Sequence, residues 1–178
     1  WRSDAPATLV WAEAQDEGDP RRESRVRDRV VMLDAPFTGA PRTLIELDQR
    51  YAGTTWGRGD LALVRSIWQT ASRTRTHVVN PSAPGTAART LWDRSSEDRY
   101  GDPGTPVTTG NTQGFPVLLF SADGGRIFLS GEGASQRGTY PFLDRMEVAS
   151  GKPVRLWQAR DPHYETLVSP LDREGRRI

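Results

Sequence analysis

The sequence predicts an all-β fold of short antiparallel strands, on three observations. Gly 17 and Pro 13 of 178 residues amount to about one residue in six, against about one in eight in ordinary domains, and such punctuation suits many short strands better than long helices. A hairpin pattern then recurs at Val30 to Leu47, Thr76 to Asp93 and Phe142 to Trp157. Each is an apolar or β-branched run, a turn with Gly and Pro, and a second short apolar run. Finally, two independent landmarks share one set of offsets: the turn glycines Gly39, Gly85 and Gly151 lie 46 and 66 residues apart, and Leu44, Leu91 and Leu156 lie 47 and 65 apart. Four antiparallel runs recurring at such a period are the signature of propeller blades. The expectation is therefore a partial β-propeller of about three blades, each a four-stranded antiparallel meander, within a larger propeller.

Taken in order, Thr8 to Ala14 is the run ahead of the first hairpin, Leu61 to Trp68 precedes the second, and Ile127 to Leu129 the third. Tyr51 to Trp56 and Val117 to Phe120 supply a further run ahead of the last two. Ser121 to Arg126 is a strong hairpin turn, because consecutive glycines accept positive φ. Ala7 to Glu17 is also rich in helix formers, and Leu61, Val64 and Trp68 fit a helical stripe. The repeat decides for strand, since the equivalent run Ile127 to Leu129 follows an unmistakable hairpin turn, and context commonly overrides propensity. Arg94 to Thr112 reads as a polar Gly/Pro-rich loop. The units fall at about 1–50, 51–95 and 106–158 in a single partial propeller domain over 1–178, with the start of a further blade at 164–178. The first unit lacks its first run, and Tyr164 to Leu171 is expected to open a fourth, with Asp172 to Arg176 as its turn.

Composition removes several function classes. Zero Cys excludes disulfide scaffolds, Cys-ligated zinc and thiol catalysis. No window approaches 18 uninterrupted apolar residues, so no membrane-spanning helix is expected. Lys plus Arg is 24 against 23 for Asp plus Glu, with the two signs interleaved, so no phosphate-binding stripe is evident and nucleic acid is not an expected partner. Trp11, Trp56, Trp68, Trp92 and Trp157 lie on or beside strands, where core packing is the simpler role.

The chemistry-bearing residues form no familiar constellation. A Gly-x-Ser-x-Gly nucleophile elbow is absent; Gly133 to Gly138 has the wrong spacing. His77, in a strand, and His163, in a loop, are the two imidazoles, and both read as partly exposed structural residues. Asp16, Glu17 and Asp19, and Glu97, Asp98 and Asp102, miss the calcium-loop pattern and read as solvated loop charge. Arg21, Arg22, Arg25, Arg27 and Arg29 read as a mobile solvated loop, though guanidinium forks suit acidic ligands. Gly53 to Gly59 lacks the ending of a P-loop. No catalytic, cofactor-binding or metal-binding residue is assigned, and no cofactor is expected.

Several strings nonetheless carry a resemblance: Trp1-Arg-Ser-Asp4, Ala7 to Ala14, Asp16 to Pro20, Arg27-Asp28, Ala35-Pro-Phe37 and, most specific, Glu97 to Gly104 within Arg94 to Gly104. They resemble the propeller region of prolyl-oligopeptidase-family serine peptidases, in particular the glutamyl-endopeptidase branch related to acylaminoacyl peptidases. The resemblance implies a parent with a seven-bladed propeller and a C-terminal α/β-hydrolase domain bearing a Ser-Asp-His triad. That enzyme would cleave peptides after Glu, with the propeller screening large substrates. This chain holds no triad domain, so no catalytic residue carries over. The expected role is a gating segment whose partners are a peptide substrate and the hydrolase domain. The alternative is a stand-alone propeller-type binding module or scaffold. The resemblance favours a periplasmic or secreted setting over a cytoplasmic one. Open blade edges are expected to promote self-association, because unpaired strand edges recruit strands from other chains.

Overall fold

The computed structural model describes residues 1–170 and 172. Its contacts divide the chain into two compact units, Trp1–Ser96 with Asn111–Val117 and Glu97–Gly110 with Leu118–Ile178. In the first unit, β1 (Thr8–Ala14), β2 (Asp28–Asp34) and β3 (Arg42–Leu47) form a three-stranded sheet in chain order. Four strands make the second sheet, again in chain order: β4 (Arg50–Arg58), β5 (Leu61–Trp68), β6 (Arg73–Val79) and β7 (Arg89–Ser95). All neighbours are antiparallel. The fold class is all-β, and these meanders are the blades of a partial β-propeller.

Both segments with helix-like patterns are strands, and burial shows why. Leu61, Ala62, Leu63 and Val64 are all buried, so β5 is a continuous apolar run covered on both faces rather than one stripe of a helix. The two sheets of this unit share one core of Val30, Met32, Leu44, Leu47, Trp56 and Val64, with Val10 and Tyr51 packed against it. The second hairpin turns at Gly85, with φ +87°. The first does not use Gly39 in that way: Phe37 takes the left-handed conformation at φ 66°. Its ring packs edge-on against Trp1, with centroids 5.9 Å apart.

The second unit opens with β8 (Thr105–Pro106) and β9 (Thr108–Gly110); β10 (Pro116–Leu118), whose first two residues belong to the first unit, follows in the chain. Then come β11 (Arg126–Gly131), the small hairpin β12 (Ala134–Ser135) with β13 (Gly138–Thr139), β14 (Phe142–Glu147) and β15 (Pro153–Gln158). The main sheet runs β15-β14-β11-β8. Its fourth strand differs from expectation. The run Val117 to Phe120 meets this sheet through an isolated bridge from Phe120 to Ile127, while Thr105 and Pro106, inside the expected loop, pair with Ser130 and Leu129. Val107 N–H donates to Phe128 O at 2.8 Å and Leu119 N–H to Val107 O at 2.9 Å, so the excursion interposes itself beside β11. Pro106 is tolerated there because β8 is an edge. Ile127, Phe128, Leu129, Leu143 and Met146 are buried around this sheet. Tyr164 to Pro170 form no strand, and Leu171 and residues 173–176, the rest of that expected strand and its turn, lie outside the described residues.

Candidate functional site

A cleft of about 900 Å³ in the first unit is lined by Trp1, Pro6, Gly57, Gly59, Phe115 and Val117 among others. It exists because the N-terminal residues fold back onto the second sheet. The Arg2 guanidinium makes a two-pronged contact with Asp4, Nε donating to Oδ1 at 3.0 Å and Nη2 to Oδ2 at 2.7 Å, with both side chains buried. It also lies over the Trp56 ring, 5.1 Å from the centroid. An Arg fork on a carboxylate is pre-organised and weakly hydrated, which suits it to this buried position. Asn111 closes the other wall: its Nδ2 donates to Ser3 O at 2.7 Å, and its Oδ1 accepts from the N–H groups of Gln113 and Phe115, both at 2.9 Å. Trp1 and Phe115 stay largely exposed at the rim. The cleft holds no acid–base pair. It suits an apolar or aromatic side chain rather than bond-breaking chemistry.

A second cleft, about 430 Å³, lies in the other unit between Glu97, Asp98, Arg99 and Tyr100 and the β12–β13 hairpin. Its carboxylates build the loop: Asp98 Oδ1 accepts from Gly101 N–H and Asp102 Oδ1 from Gly104 N–H, each at 2.9 Å. Arg99 is paired with Glu132 at 3.1 Å. The Glu97 to Gly104 string thus shapes a turn, and Tyr100 projects from it into solvent.

The remaining sequence candidates divide between exposed loops and buried fixtures. His77 sits on β6 with Nδ1 3.3 Å from Thr90 Oγ1, and its Nε2 is buried with no hydrogen-bond partner. Burial, then the nearby Arg75, lowers its pKa against the opposing pull of Asp48 and Asp93. His163 is exposed in a loop, its backbone N–H donating to Arg160 O at 3.0 Å. The two imidazoles belong to different units. Among the described residues no group of His, Asp and Glu could hold a metal ion, and no helix is long and apolar enough to cross a membrane.

Asp16 and Arg27 correct the expectation of solvated loop charge. Asp16 is fully buried; its Oδ2 accepts from Arg27 at 2.8 Å and from Arg50 at 2.7 Å, and its Oδ1 from Gly18 N–H at 3.1 Å. Burial on its own would raise the carboxyl pKa, but the hydrogen bonds from Arg27, Arg50 and Gly18 outweigh it and hold the group at about 2. Arg27 lies 4.4 Å over the Trp68 ring and caps the carbonyls of Pro20 and Arg22. Arg50 also binds Asp28 at 2.7 Å. The network ties the β1–β2 loop to β4 and β5, and is structural. Arg21 and Arg22, by contrast, stay exposed, paired with Asp19 and Glu17. Of the tryptophans, Trp56 alone is fully buried; Trp11, Trp68, Trp92 and Trp157 are half-buried.

No family model matches the chain. Two plant proteins named "Probable glutamyl endopeptidase, chloroplastic" do: that of Oryza sativa subsp. japonica is 42% identical over 175 residues, and that of Arabidopsis thaliana 40% identical over 176, each covering 95% of this chain. The chain is similar to one segment of a glutamyl endopeptidase. That bears out the likeness to a glutamyl endopeptidase carried by the sequence strings. The chain spans about a fifth of the length of these curated relatives, 19% and 18%. The crystal structure of TolB from Acinetobacter baumannii aligns with TM-score 0.46 and 13% identity, over 86% of this chain and 31% of that one.

Proposed function

We propose that the chain is a non-catalytic propeller segment of a glutamyl-endopeptidase-like serine peptidase of the prolyl-oligopeptidase family. Its role is to screen peptide substrates for an α/β-hydrolase domain encoded elsewhere in a longer protein. The observation that carries this reading is 40–42% identity over 95% of the chain to a limited segment of two relatives bearing that name. The site geometry supports it. A peptidase needs a nucleophile, a base and oxyanion donors in one constellation, and the first unit's main cleft offers an aromatic rim instead. Trp1 and Phe115 there present broad apolar faces to an extended peptide. A periplasmic or secreted setting is proposed with it, which fractionation of source cells tests.

The non-catalytic part is tested on the pure chain with a glutamyl peptide substrate and a Ser-directed acylating probe. No turnover and no labelling are expected; turnover abolished by the probe would refute it. The screening part is tested in the full-length protein. Phe115→Ala should raise the cleavage rate of long peptides relative to dipeptide-sized ones by several-fold, and an unchanged ratio would refute screening at this cleft.

A further inference from the structure

Another cleft of the first unit, about 450 Å³, has the Thr43 to Glu46 stretch of β3 as one wall and His77 with Gly85 to Thr90 as the other. The two walls differ in strength. On β3, Leu44 and Ile45 are buried and belong to the core. Gly85 to Thr90 are exposed throughout, and the ladder beside them is interrupted. Thr76 pairs with Trp92 and His77 with Thr90, which leaves Leu91 as a bulge. A segment with few buried contacts and a broken ladder is drawn from the low-stability end of a fold. His77 touches this segment through Nδ1, 3.3 Å from Thr90 Oγ1, while its Nε2 is shut off from solvent without a hydrogen-bond partner.

We propose that Gly85 to Thr90 is an acid-released flap with His77 as its trigger: protonation of the imidazole drives the flap away from the β3 wall and opens Leu44 and Ile45 to solvent. In the imidazolium both ring nitrogens are donors. A buried charged donor without an acceptor is far costlier than a neutral group in the same place. The surroundings offer no free acceptor, because the carboxylates around His77 are each held by Arg. Glu46 on β3 pairs with Arg29 at 3.1 Å, Asp48 with Arg75, and Asp93 on β7 with Arg73 at 2.6 Å and Arg75 at 2.9 Å. Arg73 and Arg75 share β6 with His77, and Arg89 precedes Thr90, so the local cations add to the resistance; β5 sets uncharged Val64 opposite His77. The lowered pKa of His77, caused by burial and then Arg75 against Asp48 and Asp93, accords with a proton that enters once the flap lifts. The device lies wholly within β3, β6 and β7 of one unit, and so does not depend on what precedes or follows them in a longer protein.

The experiment follows the His77 ring by NMR, together with amide exchange of the full chain, from about pH 7.5 to about pH 5. Each amide is corrected for its own pH-dependent intrinsic rate. If the closed flap refuses the proton and the open one takes it at the ordinary 6.5, the opening constant rises by at most about 30-fold over this range. The amides of the Val78–Arg89 pair should therefore lose protection several-fold, below that ceiling and in step with the ring. His77→Gln, which takes up no proton, should keep their protection constant. Ala87→Cys supplies a second measurement that retains His77 and does not depend on the His77→Gln variant folding. As the sole thiol of the chain, it carries a nitroxide on the exposed flap, and its spectrum should sharpen as pH falls. The same label at Ala149→Cys, exposed in the other unit, should not change. Flap amides and a flap label indifferent to pH would overturn the proposal. So would an identical pH response in His77→Gln, or an equal loss of protection at Val30 and Val64, which would mean that the whole unit loosens rather than the flap.

Discussion

Gly104→Ala and Gly85→Ala form a matched pair that separates backbone strain from steric collision. The two glycines have nearly the same φ, +85° and +87°. Around Gly85 nothing lies within 4 Å of where a Cβ would sit, whereas at Gly104 it would lie 2.6 Å from Ser130 O and 2.9 Å from Ser130 C. Both variants therefore incur the left-handed penalty of an L-residue, about 1–2 kcal/mol. Only Gly104→Ala must also push against rigid backbone, and overpacking of that kind costs a further 1–3 kcal/mol or so. Ser130 is the residue that pairs with Thr105, so the collision falls on the β8–β11 ladder. For a chain of this size each kcal/mol lowers Tm by about 2–4 °C, and Gly104→Ala should melt roughly 2–12 °C below Gly85→Ala. Thermal and urea unfolding by circular dichroism would measure the gap, with amide exchange at Thr105 and Ser130 locating it. Equal destabilisation of the two variants, within about 0.5 kcal/mol, would refute the steric reasoning.

Other outcomes are expected from the buried charges and the imidazole. Asp16 titrates near 2 in the fold against 3.8 unpaired, so its contribution is complete above the unpaired value and is lost as pH falls through about 2. Asp16→Asn should lower the urea midpoint at pH 7 and converge on the parent as pH approaches 2; a constant offset would contradict the assignment. His77 has a pKa lowered from 6.5, so below that value the unfolded chain takes up protons that the fold resists, and stability falls with acidification. His77→Gln should flatten the stability profile below pH 6.5, which urea titrations at several pH values would detect.

Much of this architecture is written in the sequence because hairpins are local. Leu61 to Trp68 is assigned correctly from its place in the repeat, although its own spacing fits a helix equally well. β8 is missed for the converse reason: Thr105–Pro106 is two residues long, carries a Pro and sits in a Gly/Pro-rich stretch, so it has no periodicity to read. Its strand character comes from Ser130, far along the chain. Asp16 and Arg27 are misread because burial of a charge depends on partners brought in by folding. Arg50, which binds the same carboxylate, stands 34 positions away from it. The aromatic cleft is equally invisible in composition, since Trp1 and Phe115 come to line one cleft through a fold in which Asn111 fastens its loop to Ser3.

The position of β8 also affects how the chain is made. In the first unit each strand emerges from the ribosome directly after the one it pairs with, so a sheet grows as it is synthesised. Thr105–Pro106 emerges some twenty residues before Arg126, where β11 begins; at a synthesis rate of about 5–20 residues per second, the wait is roughly one to four seconds. During that interval the nascent segment has no template, and its pairing groups are available to chaperones or to a neighbouring polypeptide. Slowing translation between codons 107 and 126 would lengthen this interval while leaving the sheets β1–β3 and β4–β7, already synthesised, untouched.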